Sequence, residues 1–449
     1  MTNSLTAVSL FSSGGLGDLA LRQAGFDILV SNELLEDRHQ VFSLNFPSTK
    51  AISGDIRRLS DIIVDTAVSA LAGRELTLLY ATPPCQGMSK NGRGKLLSEI
   101  RAGRKPALDE RNRLILPTLA IARRLRPEII VLENVPEMQD TIILDDNGRA
   151  WPIVDYARHE LGTEYVGSAE IVEFANYGVP QCRQRLISIF SRSRRLRDWF
   201  HVHRTFIPPP THAENPAGRY GLKRWVSVRN VIAGLPPLDA RSNALSQSAI
   251  PFHSVPTLDE RKYWWVSNTP PEKSAFDNQC VECGCQENLS HCAERNDSGI
   301  NRASEETPLY CLRCGKLLPR PCVEEDGKLR IMRGFTSAYK RMSYDRPASA
   351  LTRNLSYACS DNKLHPEQNR VLSLFEAFKL HTLDQFEYIW RRRDRKPLSH
   401  KTVREIIGES IPPAGFLRII DHVANIYLGD AAASSWLAAG PLFSSMIPG

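Results

Sequence analysis

The sequence predicts an α/β chain, a doubly wound and mostly parallel sheet that carries a smaller, irregular domain. Two observations predict it. Over the first half, β-like and helix-like segments alternate, the pattern of a sheet with helices on both faces. From about residue 206 that pattern lapses into the linker-like "FIPPPTHAENPAG" and a dense cysteine cluster.

The elements follow in order. "AVSLF" reads as a strand, then a Gly-rich turn and the helix-like "DLALRQAGF". "DILVSNE" is a second strand, followed by "LEDRHQVFSLNF" as a helix, and "AISGDI" is a short third strand. "LTLLYATPP" is a fourth, and "EIIVLENV" follows the helical "LILPTLAIARRLR". "YVGSAEIVEF" and "RLISIFS" complete the sheet. Helical spacing returns at "NRVLSLFEAFKL", where Val371, Leu374, Phe375 and Phe378 share one face. Glu33, Asp55, Cys85 and Glu133 all fall at strand ends, where sheets of this kind bind ligands.

Length and composition set the bounds. The 449 residues suit two or three domains, and 42% hydrophobic residues argue for a folded chain. No apolar run approaches the roughly 20 residues that span a bilayer, and the N-terminus has no basic start. The expectation is a soluble, cytoplasmic protein with no membrane partner. The net charge of +7 is modest, but basic residues cluster at 123–126, 192–197 and 391–396. Such runs are usually solvated faces; here they also permit a polyanionic partner.

Cys85, in "YATPPCQGMSK", follows two prolines that end a strand. The bland reading is a small apolar core residue. The turn "LFSSGGLGD" stands between strand and helix, where glycines let a backbone approach a nucleotide closely. Glu33 ends the next strand, placed to take both ribose hydroxyls, and Asp55 ends the third, in reach of an adenine edge. Together they describe an adenosyl site.

"LFSSGGLGD", "GDI", "PPCQGMS", "DERNRLIL", "ENV", "QCRQR", "RPASALTRN" and "GESIPP" occur in one order. In that order the chain resembles the DNA cytosine carbon-5 methyltransferases of the bacterial restriction-modification type, over nearly all of its length outside the cysteine cluster. The resemblance implies the class I S-adenosylmethionine-dependent fold, with double-stranded DNA as substrate and an independently acting restriction endonuclease as a possible partner. Cys85 would be the nucleophile that adds to carbon 6 of cytosine, and Glu133 would bind and protonate ring nitrogen 3. Of Arg183 and Arg185, one would hold the cytosine carbonyl while the other braces the site. Leu10, Phe11, Ser12, Gly14, Gly15, Glu33, Leu34, Asp55, Ile56, Pro84, Glu409 and Ser410 would bind S-adenosylmethionine. The target base must leave the duplex, and the polar segment 87–105 suits a loop closing over it. The final helix after "GESIPP" would return beside the first motif. Three features depart from the family pattern: Ser13 and Leu16 stand where glycines are usual, Glu409 stands for Asn, and the cysteine cluster is additional.

"CVEC" at 280–283 and "CLRC" at 311–314 are paired C-x-x-C knuckles, 27 residues apart. Four thiolates, Cys280, Cys283, Cys311 and Cys314, can close a tetrahedral structural zinc site. Cys285, His291, Cys292 and Cys322 are substitutes or a second site. The expected organisation is a catalytic and cofactor-binding part at 1–205, a zinc-stapled target-recognition part at 206–345, and a return to the catalytic part at 346–449. The rival readings are an RNA (tRNA) cytosine-5 methyltransferase on the same scaffold and a non-catalytic, zinc-containing DNA-binding protein.

Overall fold

The structure, a computed structural model, describes residues 5–84, 110–218, 221–290, 306–332 and 337–429, with the backbone of two short strands at 293–295 and 301–303. The first half runs β1 (Leu5–Leu10), α1 (Leu16–Gln23), β2 (Phe26–Glu33), α2 (Glu36–Asn45), β3 (Lys50–Ser53), α3 (Ile56–Leu71) and β4 (Leu78–Ala81). It continues with α4 (Ile115–Leu125), β5 (Ile129–Asn134), α5 (Ile153–Leu161), β6 (Val166–Glu173) and β7 (Gln184–Ser191). These seven strands form one sheet in the order β3-β2-β1-β4-β5-β7-β6. Pairs from β3 to β5 are parallel, while β7 runs antiparallel to both β5 and β6. The mostly parallel sheet expected from the alternation is present.

The central strands are apolar throughout because they are buried on both faces. Side chains alternate between faces: Leu78, Tyr80, Ile129 and Val131 enter one hydrophobic cluster, with α1 and α2. Leu79, Ala81, Ile130 and Leu132 enter the other, with α3, α4 and α5. Strand order reverses between β1 and β4, so Leu10 and Ala81 end side by side. The two chain segments leaving those ends must diverge, and the crevice between them is where open α/β sheets bind ligands.

A separate cluster draws on Leu238, Trp265, Val266, Phe276, Tyr339, Leu364 and Val371. The helix expected near 371–380 begins at Leu374, because the Ser373 hydroxyl caps it by accepting from the Glu376 amide at 3.1 Å. Val371 therefore precedes the helix and packs in this separate cluster, while Leu374 and Phe378 join the one that holds α1 and α2. Two helices end the described chain, α6 (His400–Glu409) and α7 (Pro413–Leu428), and α7 packs against α1. Among the described residues no helix is long and apolar enough to cross a membrane.

Candidate active site

The turn after β1 is held open by an unusual backbone. Phe11 (φ 58°) and Ser13 (φ 49°) lie in the left-handed region, as does Gly15 (φ 83°) just before α1. A side chain there costs about 1–2 kcal/mol, which glycine avoids. Ser13 thus occupies, under strain, a conformation that the family's usual glycine adopts freely. Leu16 opens α1 and is buried in the core, so it contributes packing where a glycine would contribute none.

Hydrogen bonds from neighbouring strand ends offset this strain. Thr82 Oγ1 donates to the Phe11 carbonyl at 2.9 Å, and the Ser12 amide donates to the Asn32 carbonyl at 3.0 Å. The Glu33 carboxylate accepts from the Ser13 and Leu35 amides, each at 2.8 Å. Burial pushes Glu33 above the usual carboxylate range, opposed by the Leu35 amide, Arg38 and the Ser13 amide. Each of its oxygens keeps acceptor capacity for a ligand hydroxyl. Leu34, beside it, is exposed. Asp55 caps α3, accepting from the Arg57 amide at 3.0 Å, and pairs with the Arg57 side chain, which holds it below its usual range. Ile56, the first residue of α3, is buried. Leu10, Ser12, Gly14 and Gly15 are also buried, and the Gly14 carbonyl accepts from the Tyr388 phenol. A Cβ on Gly17 would meet the Tyr80 phenol.

On the β4 side, Pro84 is exposed. Cys85 and the 87–105 segment lie outside the described residues. Asn134 Nδ2 donates to the Pro83 carbonyl at 2.5 Å, tying the "ENV" strand end to the chain two residues before Cys85. Glu133 and Arg185 form a buried pair, Nε to Oε1 2.8 Å. Burial raises the Glu133 pKa, and Arg185 and then Arg183 oppose the rise.

Arg183 is placed differently from Arg185. Its guanidinium donates to the carbonyls of Leu351 (2.7 Å), Gly408 (2.7 Å) and Ser410 (2.6 Å), clamping the end of α6 to the sheet. The Ser410 hydroxyl lies 3.0 Å from His381 Nε2, and burial holds that imidazole neutral. The Glu409 carboxylate pairs with Arg38 at 2.6 Å. Ser13, Asp18, Tyr80, Thr82, Glu133, Glu409 and Ser410 line one pocket at the switch point, together with Phe11, Ser12, Leu16, Gly17 and Ile411. Of the residues expected to bind the cofactor, Leu10, Gly14, Gly15, Glu33, Leu34, Asp55, Ile56 and Pro84 do not line it. Asp18, Arg38, Thr82 and His381 were not singled out by sequence reasoning. Asp18 stands inside the Gly-rich motif, but the others carry no local signature.

The four knuckle thiols converge. Sγ atoms of Cys280 and Cys314, Cys280 and Cys283, and Cys283 and Cys311 are each 3.6 Å apart, and all four lie within 4.8 Å of one another. A tetrahedron with zinc–sulfur bonds of about 2.3 Å has edges of about 3.8 Å. The donor set therefore fits zinc. The Leu312 amide donates to Asn288 Oδ1 at 2.9 Å, joining the two knuckles. Cys285 is not among the four, and Cys322 belongs to the separate hydrophobic cluster of Leu238, Trp265 and Phe276. His291 and Cys292 lie outside the described residues.

The family model of C-5 cytosine-specific DNA methylases matches residues 5–425. Over 436 residues the chain is 28% identical to the type II methyltransferase M1.HgaI of Avibacterium volantium, covering 95% of this chain and 99% of that one. Over 412 residues it is 28% identical to the type II methyltransferase M1.HphI of Haemophilus parahaemolyticus, covering 91% and 84%. Among solved structures it is similar to a prophage-encoded E. coli protein described as a DNA modification methyltransferase. That likeness has a TM-score of 0.52 and 19% identity, covers 95% and 100% of the two chains, and is one of fold.

Proposed function

Taking as premise that the chain belongs to the C-5 cytosine-specific DNA methylases, we propose that it methylates carbon 5 of a cytosine flipped out of duplex DNA, through a covalent bond to Cys85. The observation that carries this is the buried Glu133–Arg185 pair, with Asn134 tethering Pro83 just ahead of Cys85. S-adenosylmethionine, the cofactor of the family, supplies an electrophilic methyl on its sulfonium. The anchored Glu33 carboxylate and the pocket beside it suit that cofactor.

Each residue then has a task. The Cys85 thiolate adds to carbon 6 of the ring, and the electron pair displaced from the 5,6 double bond makes carbon 5 nucleophilic. Glu133, its acid form favoured by burial, donates a proton to ring nitrogen 3 and neutralises charge as it develops. Arg185 orients Glu133 and offers its remaining N–H groups to the cytosine carbonyl. Arg183 braces from behind through backbone carbonyls. As carbon 5 takes the methyl, the carbon–sulfur electron pair stays with the departing S-adenosylhomocysteine. The carbon-5 proton then leaves to water, the 5,6 double bond re-forms, ring nitrogen 3 returns its proton to Glu133 and Cys85 departs as the thiolate.

In the same reading, Cys280, Cys283, Cys311 and Cys314 hold a structural zinc that organises a target-recognition part within 206–345. The chain would protect host DNA beside an independently acting endonuclease, a reading supported by its likeness to proteins named type II methyltransferases. Bisulfite sequencing of DNA from cells expressing the protein tests the whole. Protected cytosines in one sequence context are expected. Methylation of tRNA but not of matched duplex DNA would overturn the DNA assignment.

A further inference from the structure

Three carboxylates line the switch-point pocket among the described residues: Asp18, Glu133 and Glu409. Glu133 is paired with Arg185 and Glu409 with Arg38. Asp18 stands alone. It is 1% exposed, and neither carboxylate oxygen has a hydrogen-bond partner among the described residues. Buried acceptors left without donors are rare and costly, and they call for an explanation.

Its surroundings do not supply one. Asp18 lies in the first turn of α1, where the helix dipole favours an anion. Burial nevertheless pushes it up to about 7, and the nearby Ser9 hydroxyl and then its own backbone amide offset this only in part, neither with hydrogen-bond geometry at either oxygen. Besides the paired carboxylates Glu133 and Glu409, the phenols of Tyr80 on β4 and of Tyr388 feel its charge, and burial keeps both neutral. No Lys, Arg or His is among the described residues lining the pocket.

The aminoacyl end of S-adenosylmethionine carries an ammonium with three N–H donors, which require acceptors. The sulfonium carries charge but no N–H. Unclaimed acceptors match the ammonium, and charge-assisted hydrogen bonds of this type are the strong ones. We infer that the Asp18 carboxylate receives the α-ammonium of the cofactor, as a binding residue distinct from those of the adenosyl end. This rests on the methyltransferase reading above. Ammonium binding favours ionised Asp18, so affinity should climb as pH rises through about 7.

Calorimetric titration of wild type and Asp18→Asn with three ligands tests it. S-adenosylmethionine and S-adenosylhomocysteine both carry the ammonium, and 5′-methylthioadenosine lacks it. The variant should bind the first two more weakly by a similar factor, on the order of tenfold or more. It should bind the third as wild type does, which also shows that the fold is intact, and the rise in affinity near pH 7 should vanish. Weakening of all three ligands, of S-adenosylmethionine alone, or of none would overturn the assignment. Wild-type protein that binds none of the three would instead overturn the methyltransferase reading.

Discussion

Arg185 Nε stands 2.8 Å from Glu133 Oε1, with both side chains at most 10% exposed, on neighbouring antiparallel strands. Neither group is cheaply buried alone, since removing one partner of such a pair typically costs about 3–5 kcal/mol. Arg185→Ala should therefore lower both stability and turnover. Glu133→Gln keeps the shape but removes the acid, and single-turnover methylation should fall by about 100-fold or more. Cofactor affinity in that variant should be unchanged. Methylation within threefold of wild type would remove Glu133 from the chemistry.

Glu33 does two things at once. It fixes the strained turn through the Ser13 amide and offers oxygens at the end of β2. Charge-assisted hydrogen bonds contribute about 1.5–3 kcal/mol, so Glu33→Ala should weaken cofactor binding roughly ten- to a hundredfold. Calorimetry is the check, and unchanged affinity would exclude the ribose assignment.

Close packing under the pocket makes a sharper test. A Cβ on Gly17 would meet the Tyr80 phenol oxygen, with two ring carbons 3.0 Å away. Gly17→Ala should destabilise the protein by about 1–3 kcal/mol. Adding Tyr80→Phe removes the nearest atom and should restore part of that loss, read as a rise in the urea midpoint. A double variant no more stable than Gly17→Ala alone would show that the clash is relieved elsewhere.

Much of this was legible in the chain. Parallel strands buried on both faces read as unbroken apolar runs, so β4 and β5, and with them the strand-end position of Glu133, follow from "LTLLYA" and "EIIVLEN". Paired C-x-x-C spacing likewise anticipated which four thiols converge. Other relationships have no local signature. Arg38 and Glu409 are 371 residues apart, and Arg183 binds backbone carbonyls, which every residue possesses. Asp18 reads in sequence as an ordinary acidic residue in a helix's first turn. Only the packing around α1, which includes α7, removes it from water.

The thiol cluster should be separable from the chemistry. Elemental analysis is expected to find about one zinc per chain, and less in Cys311→Ser. Because ligation is coupled to folding, that variant should lose specific DNA binding while S-adenosylmethionine affinity persists. Carefully purified wild type without metal would refute the site. A metal-depleted protein that still methylates only its usual sequence would show the zinc to be dispensable for recognition.

The covalent step is tested most directly by duplex DNA copied with 5-fluorocytosine in place of cytosine. Fluorine cannot leave carbon 5 as a proton does, so the Cys85 adduct should accumulate after methyl transfer. Wild type with S-adenosylmethionine should yield a complex that survives denaturation, with peptide mapping placing the DNA on Cys85. Cys85→Ser should yield none while binding the cofactor normally. A wild-type enzyme that methylates ordinary DNA yet leaves no trapped complex, or a Cys85→Ser variant with full turnover, would contradict the mechanism.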